Sequence, residues 1–286
     1  MEKTKGILYI ILSASAFGIM PILAKLSYKG GANAYSTLFL RFLFAAIMLF
    51  YYLKTKGISM KLTKKQSILI LVIGVFGFTL TTSSLYMSYN YIGIGMASMI
   101  FYIYPSIVTI LAYMFYKEKI YARKIISLII SLMGIYILID KASVSFNIKG
   151  IILALIAAVL YSLYVLGASN KEFKNINSYV LTFYISCTSA TVMFIAAIST
   201  NNFSIHISFY ALVAILLIAF ISTVVALMAF LEGVRLIGPS KASILSTIEP
   251  IVSLILGIII LGEAISSRII IGSIMIVLSV VILTKK

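Results

Sequence analysis

Long apolar runs separated by short polar connections dominate the pattern of this chain. Ten runs have about the length of a membrane-spanning helix, which needs roughly 20 predominantly apolar residues. A helix hydrogen-bonds its own backbone groups, so it is the expected structure for such runs in lipid. The predicted spans are residues 6–24, 34–53, 67–88, 95–116, 125–139, 150–169, 178–198, 207–231, 242–261 and 269–283.

The chain also repeats itself. A shift of 145 residues aligns glycine, proline, glutamate and arginine positions, and a shift of 144 aligns earlier asparagine and tyrosine positions. The aligned pairs are Gly93 and Gly238, Pro105 and Pro250, Glu118 and Glu263, Arg123 and Arg268, Asn33 and Asn177, and Tyr35 and Tyr179. One inserted residue between the two blocks reconciles the shifts.

Each repeat contains five predicted spans, and because five is odd the second copy enters the membrane from the opposite side. The sequence therefore predicts an all-α integral membrane protein of ten helices, built as two inverted five-helix repeats over residues 1–140 and 145–286. Many secondary transporters use this arrangement.

Composition agrees with a membrane protein. Hydrophobic residues make up 62% of the chain and charged residues only 10%, whereas a soluble domain has about 25% charged residues. The net charge of +16 comes from short connections rather than from a basic helix face, so nucleic-acid binding is not expected. A single cysteine and a single histidine, Cys187 and His206, predict neither a disulfide nor a metal site, and no cofactor is expected.

The distribution of basic residues predicts the orientation. With the N-terminus inside, the inside segments hold 17 Lys and Arg residues and the outside segments hold 5. Positive residues favour the cytoplasmic side, so both termini are predicted to be cytoplasmic in a multi-pass cell-membrane protein. The first run is too long for a signal peptide and is interpreted as a retained span.

Two charged residues fall inside predicted spans. Glu249 and Arg41 each lie about seven residues from the start of a span, roughly 10 Å deep at 1.5 Å per residue. Intramembrane ionisable groups are costly and commonly functional. Glu249 is predicted to contact a substrate amine or to take up a proton, or else to cap backbone groups beside Pro250. Arg41 is predicted to meet a substrate carboxylate, to pair with Glu249, or to be structural.

Prolines and aromatic residues complete the candidate site. Pro105 and Pro250 each remove a helix hydrogen bond, so they are predicted to kink their spans, either exposing backbone groups to a cavity or only shaping the packing. Aromatic side chains can stack on a cationic or apolar substrate. The remaining candidates for contacting it are Tyr86, Asn90, Tyr104, Tyr161 and Tyr179.

Several segments carry a family resemblance. They are residues 93–118 and 238–263, each a proline-containing span that ends in glutamate, the Leu40-Arg41-Phe42 segment, Ile248-Glu249-Pro250 and Leu261-Gly262-Glu263. The chain resembles the EamA-type transporters of the drug/metabolite transporter superfamily over its whole length. It departs at Tyr116-Lys117-Glu118, where Leu-Gly-Glu is more usual. The resemblance implies a bacterial inner-membrane permease, often an exporter of amino acids or related metabolites, without naming its substrate.

The chain lacks a phosphate-binding glycine loop with a Lys-Ser or Lys-Thr pair, so no ATP motor is predicted. Few residues are available for intramembrane enzyme chemistry, and an enzyme is not predicted. A secondary transporter in the lipid bilayer, acting on a small-molecule substrate, is the leading hypothesis, and proton coupling through Glu249 is a further one. A channel or a non-transporting membrane scaffold is the alternative, and the oligomeric state is left open.

Overall fold

The computed structural model describes residues 2–138, 147–203, 206–261 and 267–284, and Gly262 and Glu263 of the predicted motifs lie outside these ranges. The described chain is helical and contains no strand. In the described ranges, six helical runs are long and apolar enough to cross a membrane, and two further apolar helices are shorter. By length and composition these helices indicate a multi-pass membrane protein. The six runs are Glu2–Lys29, Ala34–Thr55, Lys64–Ile92, Ile148–Ala168, Ser178–Ser199 and Phe209–Ile237.

Fourteen α-helices are described, and two π-helical segments interrupt them. The α-helices are α1 Glu2–Gly18, α2 Met20–Lys29, α3 Ala34–Thr55, α4 Lys64–Val72, α5 Leu80–Phe101, α6 Tyr104–Tyr116, α7 Ala122–Leu138, α8 Ile148–Ala168, α9 Ser178–Ser199, α10 Phe209–Leu217, α11 Ala226–Ile237, α12 Pro239–Leu245, α13 Glu249–Leu261 and α14 Ser267–Thr284. The segment π1, Ile73–Thr79, joins α4 to α5, and π2, Ile218–Val225, joins α10 to α11.

Three predicted spans are broken rather than continuous. The first is divided at Ile19 because Pro21 lies in the first turn of α2. The fourth is divided after Phe101, where two residues separate the end of α5 from the start of α6. In the ninth, a 3-10 turn over Ser246–Ile248 separates α12 from α13.

Helix α5 continues through the connection predicted after residue 88.

Helix boundaries recur along the chain at a spacing of 144 or 145 residues. Helices α3 and α9 begin and end 144 residues apart, whereas α4 and α10, and α6 and α13, are 145 apart. The extra residue lies in the connection 200–208, which is one residue longer than the connection 56–63. Asn33 and Asn177 precede α3 and α9, and each accepts a hydrogen bond from a backbone N–H of its helix, at Ser36 and Tyr179.

The helices also pair reciprocally. Helix α1 packs against α11, and α8 packs against α5. A Cβ on Gly6 would lie 2.6 Å from the Ile237 side chain, and one on Gly150 would lie 2.7 Å from Ile92. Glycine is required at both positions because the helices approach so closely. Gly150 is 144 residues after Gly6, and Ile237 is 145 after Ile92.

Helices α3 and α9 pack together in antiparallel orientation. Near the start of α3, the Phe39 ring lies 5.1 Å from Phe194, close to the end of α9. Near its end, the Tyr52 ring lies 4.8 Å from Tyr179, at the start of α9. The two helices therefore run in opposite directions along their whole length.

The connections gather at two ends of the helix bundle. Lys65 and Glu172 form an ion pair of 2.6 Å, and Arg235 donates a 3.4 Å hydrogen bond to the Phe173 carbonyl. The first contact brings the start of α4, next to the lysine-rich connection 56–63, close to residues 171–176. The second brings the end of α11 to the same residues. We call this region, residues 56–65 with residues 171–176 and Arg235, the basic end. At the opposite end, the Asn33 amide donates to the Asn202 carbonyl at 2.6 Å.

Candidate functional site

Arg41 lies in the interior of the helix bundle and is fully buried. Its Nε donates to Thr223 Oγ1 at 2.7 Å, and its Nη2 donates to the Ser222 carbonyl at 3.2 Å. Its Nη1 is 3.0 Å from Met20 Sδ and 3.5 Å from the Tyr86 hydroxyl. Because Ser222 and Thr223 belong to π2, the guanidinium joins α3 to that segment.

Neutral groups surround Arg41. Its guanidinium carbon lies 5.0 Å from the centre of the Phe42 ring, a cation–π distance. Within the described ranges Arg41 and Glu249 do not form an ion pair, so the predicted pairing is not observed there. The ion pairs found in those ranges are Lys65–Glu172, Lys124–Glu118 and Arg235–Glu232.

Glu249 is the first residue of α13 and is half-buried. The hydroxyl of buried Tyr102, in the break between α5 and α6, donates a hydrogen bond to its carboxylate. A helix N-terminus carries a positive partial charge, which stabilises an anion at this place. The carboxylate thus lies where two interrupted helices meet.

The third interrupted helix reaches the same place. The Gly18 carbonyl, at the end of α1, accepts a 2.7 Å hydrogen bond from Ser253 Oγ of α13. A Cβ on Gly18 would lie 2.9 Å from the Glu249 carbonyl oxygen, so only glycine allows this approach. Ser222 of π2 donates to the Ala16 carbonyl at 2.9 Å. Side chains of α13 and π2 therefore bond the carbonyls of the last turn of α1.

An aromatic cluster lies beside Glu249. The Tyr104 and Tyr161 rings are 4.8 Å apart at right angles, and Phe101 lies 5.3 Å from Tyr161. The Tyr104 hydroxyl is hydrogen-bonded with Ser246 in the break before α13. Such rings can pack against an apolar group or against an organic cation. The cluster consists of Phe101, Tyr102, Tyr104, Tyr161, Tyr164 and Phe230.

Five of the predicted site residues lie in this interior and two lie outside it. Arg41 contacts Tyr86, with Tyr89 beside Tyr86 at 5.5 Å, and Glu249 lies beside the aromatic cluster that contains Tyr104 and Tyr161. Asn90 is exposed. Tyr179 packs on Tyr52, 11 residues beyond Arg41 in α3 and so roughly 16 Å away along the helix.

Pro105 and Pro250 are each the second residue of a helix, α6 and α13. Neither lies inside a continuous helix, so the predicted kinks are replaced by complete interruptions. The first helical turn tolerates proline because its N–H would have no intrahelical partner there. The Pro105 carbonyl accepts a 2.8 Å hydrogen bond from Thr109 Oγ1 within α6.

Sequence reasoning did not select Tyr102, Met20 or Thr223 as site residues. For Thr223 a signal was present, since it is, like Thr79, a polar residue in an apolar run. Each threonine lies in or next to the last turn of a π-helical segment. For Met20, an apolar residue in an apolar run, composition carries no signal.

Comparison with known proteins identifies similar chains over nearly the whole length. The model of the EamA-like transporter family matches residues 4–140 and 148–285. An uncharacterized transporter of Clostridium kluyveri is 26% identical, with 97% of this chain and 92% of the relative covered. The uncharacterized transporter YyaM of Bacillus subtilis is 24% identical, with 82% and 79% covered. A crystal structure with 14% identity has a TM-score of 0.84 and covers 98% of this chain and 96% of its own, which shows a shared fold.

Proposed function

Because the chain belongs to the EamA-like transporter family, we propose that it is a secondary transporter that exports a small metabolite across the bacterial inner membrane. The substrate is an amino acid or a related compound that carries an amine. Transport proceeds by alternating access, in which one interior site faces each side of the membrane in turn. Relatives in Clostridium kluyveri and Bacillus subtilis are also named transporters.

The observation that carries the proposal is the reciprocal pairing of helices. The contact of Gly6 with Ile237 has its counterpart in the contact of Gly150 with Ile92. These contacts are expected if residues 1–140 and 145–286 are two five-helix copies inserted in opposite directions. The antiparallel pairing of α3 with α9 supports the same ten-span arrangement. Two such copies can exchange conformations, which provides an inward-open and an outward-open state.

In this proposal Glu249 holds the substrate amine. Its carboxylate is half-buried beside the aromatic cluster, and Tyr102 is its hydrogen-bond donor. Burial from water strengthens the attraction between a carboxylate and an ammonium group. The cluster packs against the remainder of the substrate. Arg41 has protein acceptors and no exposed surface, so it positions α3 against π2 rather than binding the substrate.

The basic end faces the cytoplasm in this proposal, together with both termini. Lys and Arg residues favour that side. Labelling of single cysteines introduced at positions 60 and 202 in intact cells tests the orientation, with position 60 protected and position 202 accessible. Accessibility of both positions from the same side would contradict the inverted repeats.

Transport is tested in proteoliposomes with ligands found by a thermal-shift screen of amino acids and amines, since a ligand that binds the native state raises its stability. A carrier gives saturable uptake that is stimulated by substrate on the opposite side. A channel gives flux without such counterflow, and a scaffold gives none. Proton coupling predicts that Glu249→Gln abolishes the pH dependence of transport, so an unaltered pH profile would refute coupling through this residue.

A further inference from the structure

A groove separates α4 from α9 at the basic end, away from the interior site. Its volume is about 340 Å³. The lining combines one charged residue with apolar and hydroxyl side chains. The residues that matter here are Lys61, Leu62, Ser67, Ile70, Leu71 and Thr188.

The groove is closed above and below and open to the side. Above, the connection 56–63 is fastened to α9 by the Tyr184 hydroxyl, which donates to the Met60 carbonyl at 2.8 Å. Below, a Cβ on Gly74 would lie 3.2 Å from the Thr188 side chain, so the helices touch there. From Lys64 to Gly74 the helix rises about 15 Å. Leu71 is 55% exposed on the outer surface of α4, which in a membrane protein faces lipid.

Positive charge accumulates at the start of α4. Lys61, Lys64 and Lys65 surround its first turn, and that turn contains no acidic residue. A helix N-terminus already carries a positive partial charge, so lysines there are electrostatically unfavourable. Glu172 pairs with Lys65, but in the described ranges Lys61 and Lys64 have no ion pair. An external anion would remove this imbalance.

We infer that the groove is a binding site for an anionic phospholipid of the leaflet at the basic end. The headgroup phosphate lies at Lys61, which lines the groove near Lys64 at the start of α4, and an acyl chain lies along Ile70 and Leu71. This places charge at the membrane surface and hydrocarbon below it, as in the ligand itself. Basic pockets between membrane helices on the cytoplasmic side are suited to anionic headgroups. The inference does not depend on what the protein transports.

The test uses the full-length protein in detergent, titrated with phosphatidylglycerol or with phosphatidylcholine of the same acyl chains. Phosphatidylglycerol is expected to raise the thermal midpoint at lower concentration than phosphatidylcholine. Lys61→Gln weakens the phosphatidylglycerol response about fivefold, from the typical contribution of one lysine. Lys56→Gln is the matched control, since Lys56 lies in the same connection but does not line the groove.

Two further measurements distinguish binding in the groove from general attraction of anionic lipid to the surface lysines. Ser67→Phe keeps every lysine but fills the groove, and it is expected to remove the preference for phosphatidylglycerol. The same preference in Ser67→Phe, or equal losses in Lys61→Gln and Lys56→Gln, would overturn the proposed site. Inorganic phosphate is expected to produce no comparable shift, and an equal one would assign the lysines to a free anion instead of a lipid.

Discussion

Helices α6 and α13 begin in the same way and differ in one charge. Both follow an interruption, both carry proline as their second residue, and their boundaries lie 145 residues apart. The first residue is Tyr104 in α6 and Glu249 in α13. A helix of this kind can therefore start without a carboxylate. This weakens the alternative that Glu249 serves only to cap the backbone beside Pro250, and it favours a role for the carboxylate itself.

Arg41, the second charged residue of the interior, also has an uncharged counterpart in the other half. Thr79 of π1 donates to Ser189 Oγ of α9 at 2.7 Å, a hydrogen bond between two uncharged groups. In the other half, Thr223 of π2 accepts from Arg41 of α3. The residue 144 positions after Arg41 is Ile185. The scaffold features occur twice, whereas each interior charge occurs once.

The largest effect is expected when Arg41 is replaced by isoleucine, the residue at its counterpart position 185. Arg41→Ile leaves the buried acceptors at Thr223 and Ser222 without their donor. Unsatisfied buried polar groups cost about 1–3 kcal/mol each, so the free energy of unfolding should fall by about 3 kcal/mol. Arg268→Ile removes the same charge at an exposed position and should change it by less than about 0.5 kcal/mol. Thermal unfolding in detergent measures both, and equal effects would contradict a structural role for Arg41.

The second-largest effect is expected at the first residues of α13 and α6, Glu249 and Tyr104. Glu249→Gln removes the charge that holds the proposed amine, and a hydrogen bond to a charged group contributes about 1.5–3 kcal/mol. Binding of an amine ligand should weaken about 50-fold, as measured by titration calorimetry. Tyr104→Phe changes the counterpart and should weaken binding less than about fivefold. A larger loss in Tyr104→Phe would move the primary contact to the aromatic cluster.

A smaller effect is expected at the tyrosine that donates to Glu249. Tyr102→Phe removes this hydrogen bond and should lower the free energy of unfolding by about 1.5 kcal/mol. The buried Tyr164 hydroxyl has no hydrogen-bond partner in the described structure, so Tyr164→Phe should cost close to nothing. Thermal midpoints of the two variants provide the comparison. A cost in Tyr164→Phe equal to that in Tyr102→Phe would remove the role assigned to Tyr102.

The smallest effect compares the two threonines of the π-helical segments. Thr223→Val removes an acceptor from a charged donor, whereas Thr79→Val breaks hydrogen bonds between neutral groups. Hydrogen bonds to charged groups are the stronger class, so the first variant should be less stable by about 1 kcal/mol. Denaturation of the two proteins side by side tests this order. The reverse order would show that Arg41 finds another acceptor.

Much of the helix arrangement could be predicted because apolar runs and rare residues carry strong signals. The aligned asparagines Asn33 and Asn177 proved to be the N-caps of α3 and α9. The π-helical segments could not be predicted, since a change of backbone hydrogen-bond register inside an apolar run leaves its composition unchanged. The break at Ile19 had a signal in Pro21, although no break was predicted there.

The candidate site was only partly predictable. Arg41 and Glu249 stood out because charge is rare in spans, but their depth did not reveal their partners. Asn90 and Tyr179 were assigned to the site from polarity and aromatic character alone. Their exposed and peripheral positions depend on which way each helix faces, and that direction is set by packing against neighbouring helices.

The segment π1 affects every residue that follows it in α5. A π-helical turn contains one residue more than an α-helical turn, so the widened turn sets the angle at which later side chains project. If the same residues adopted uniform α-helical geometry instead, the downstream part would rotate by about 100° relative to the upstream part. Tyr86 would then turn away from Arg41 although every side chain of the interior was still present. The hydrogen-bond register of this one turn therefore decides which residues of α5 face the interior.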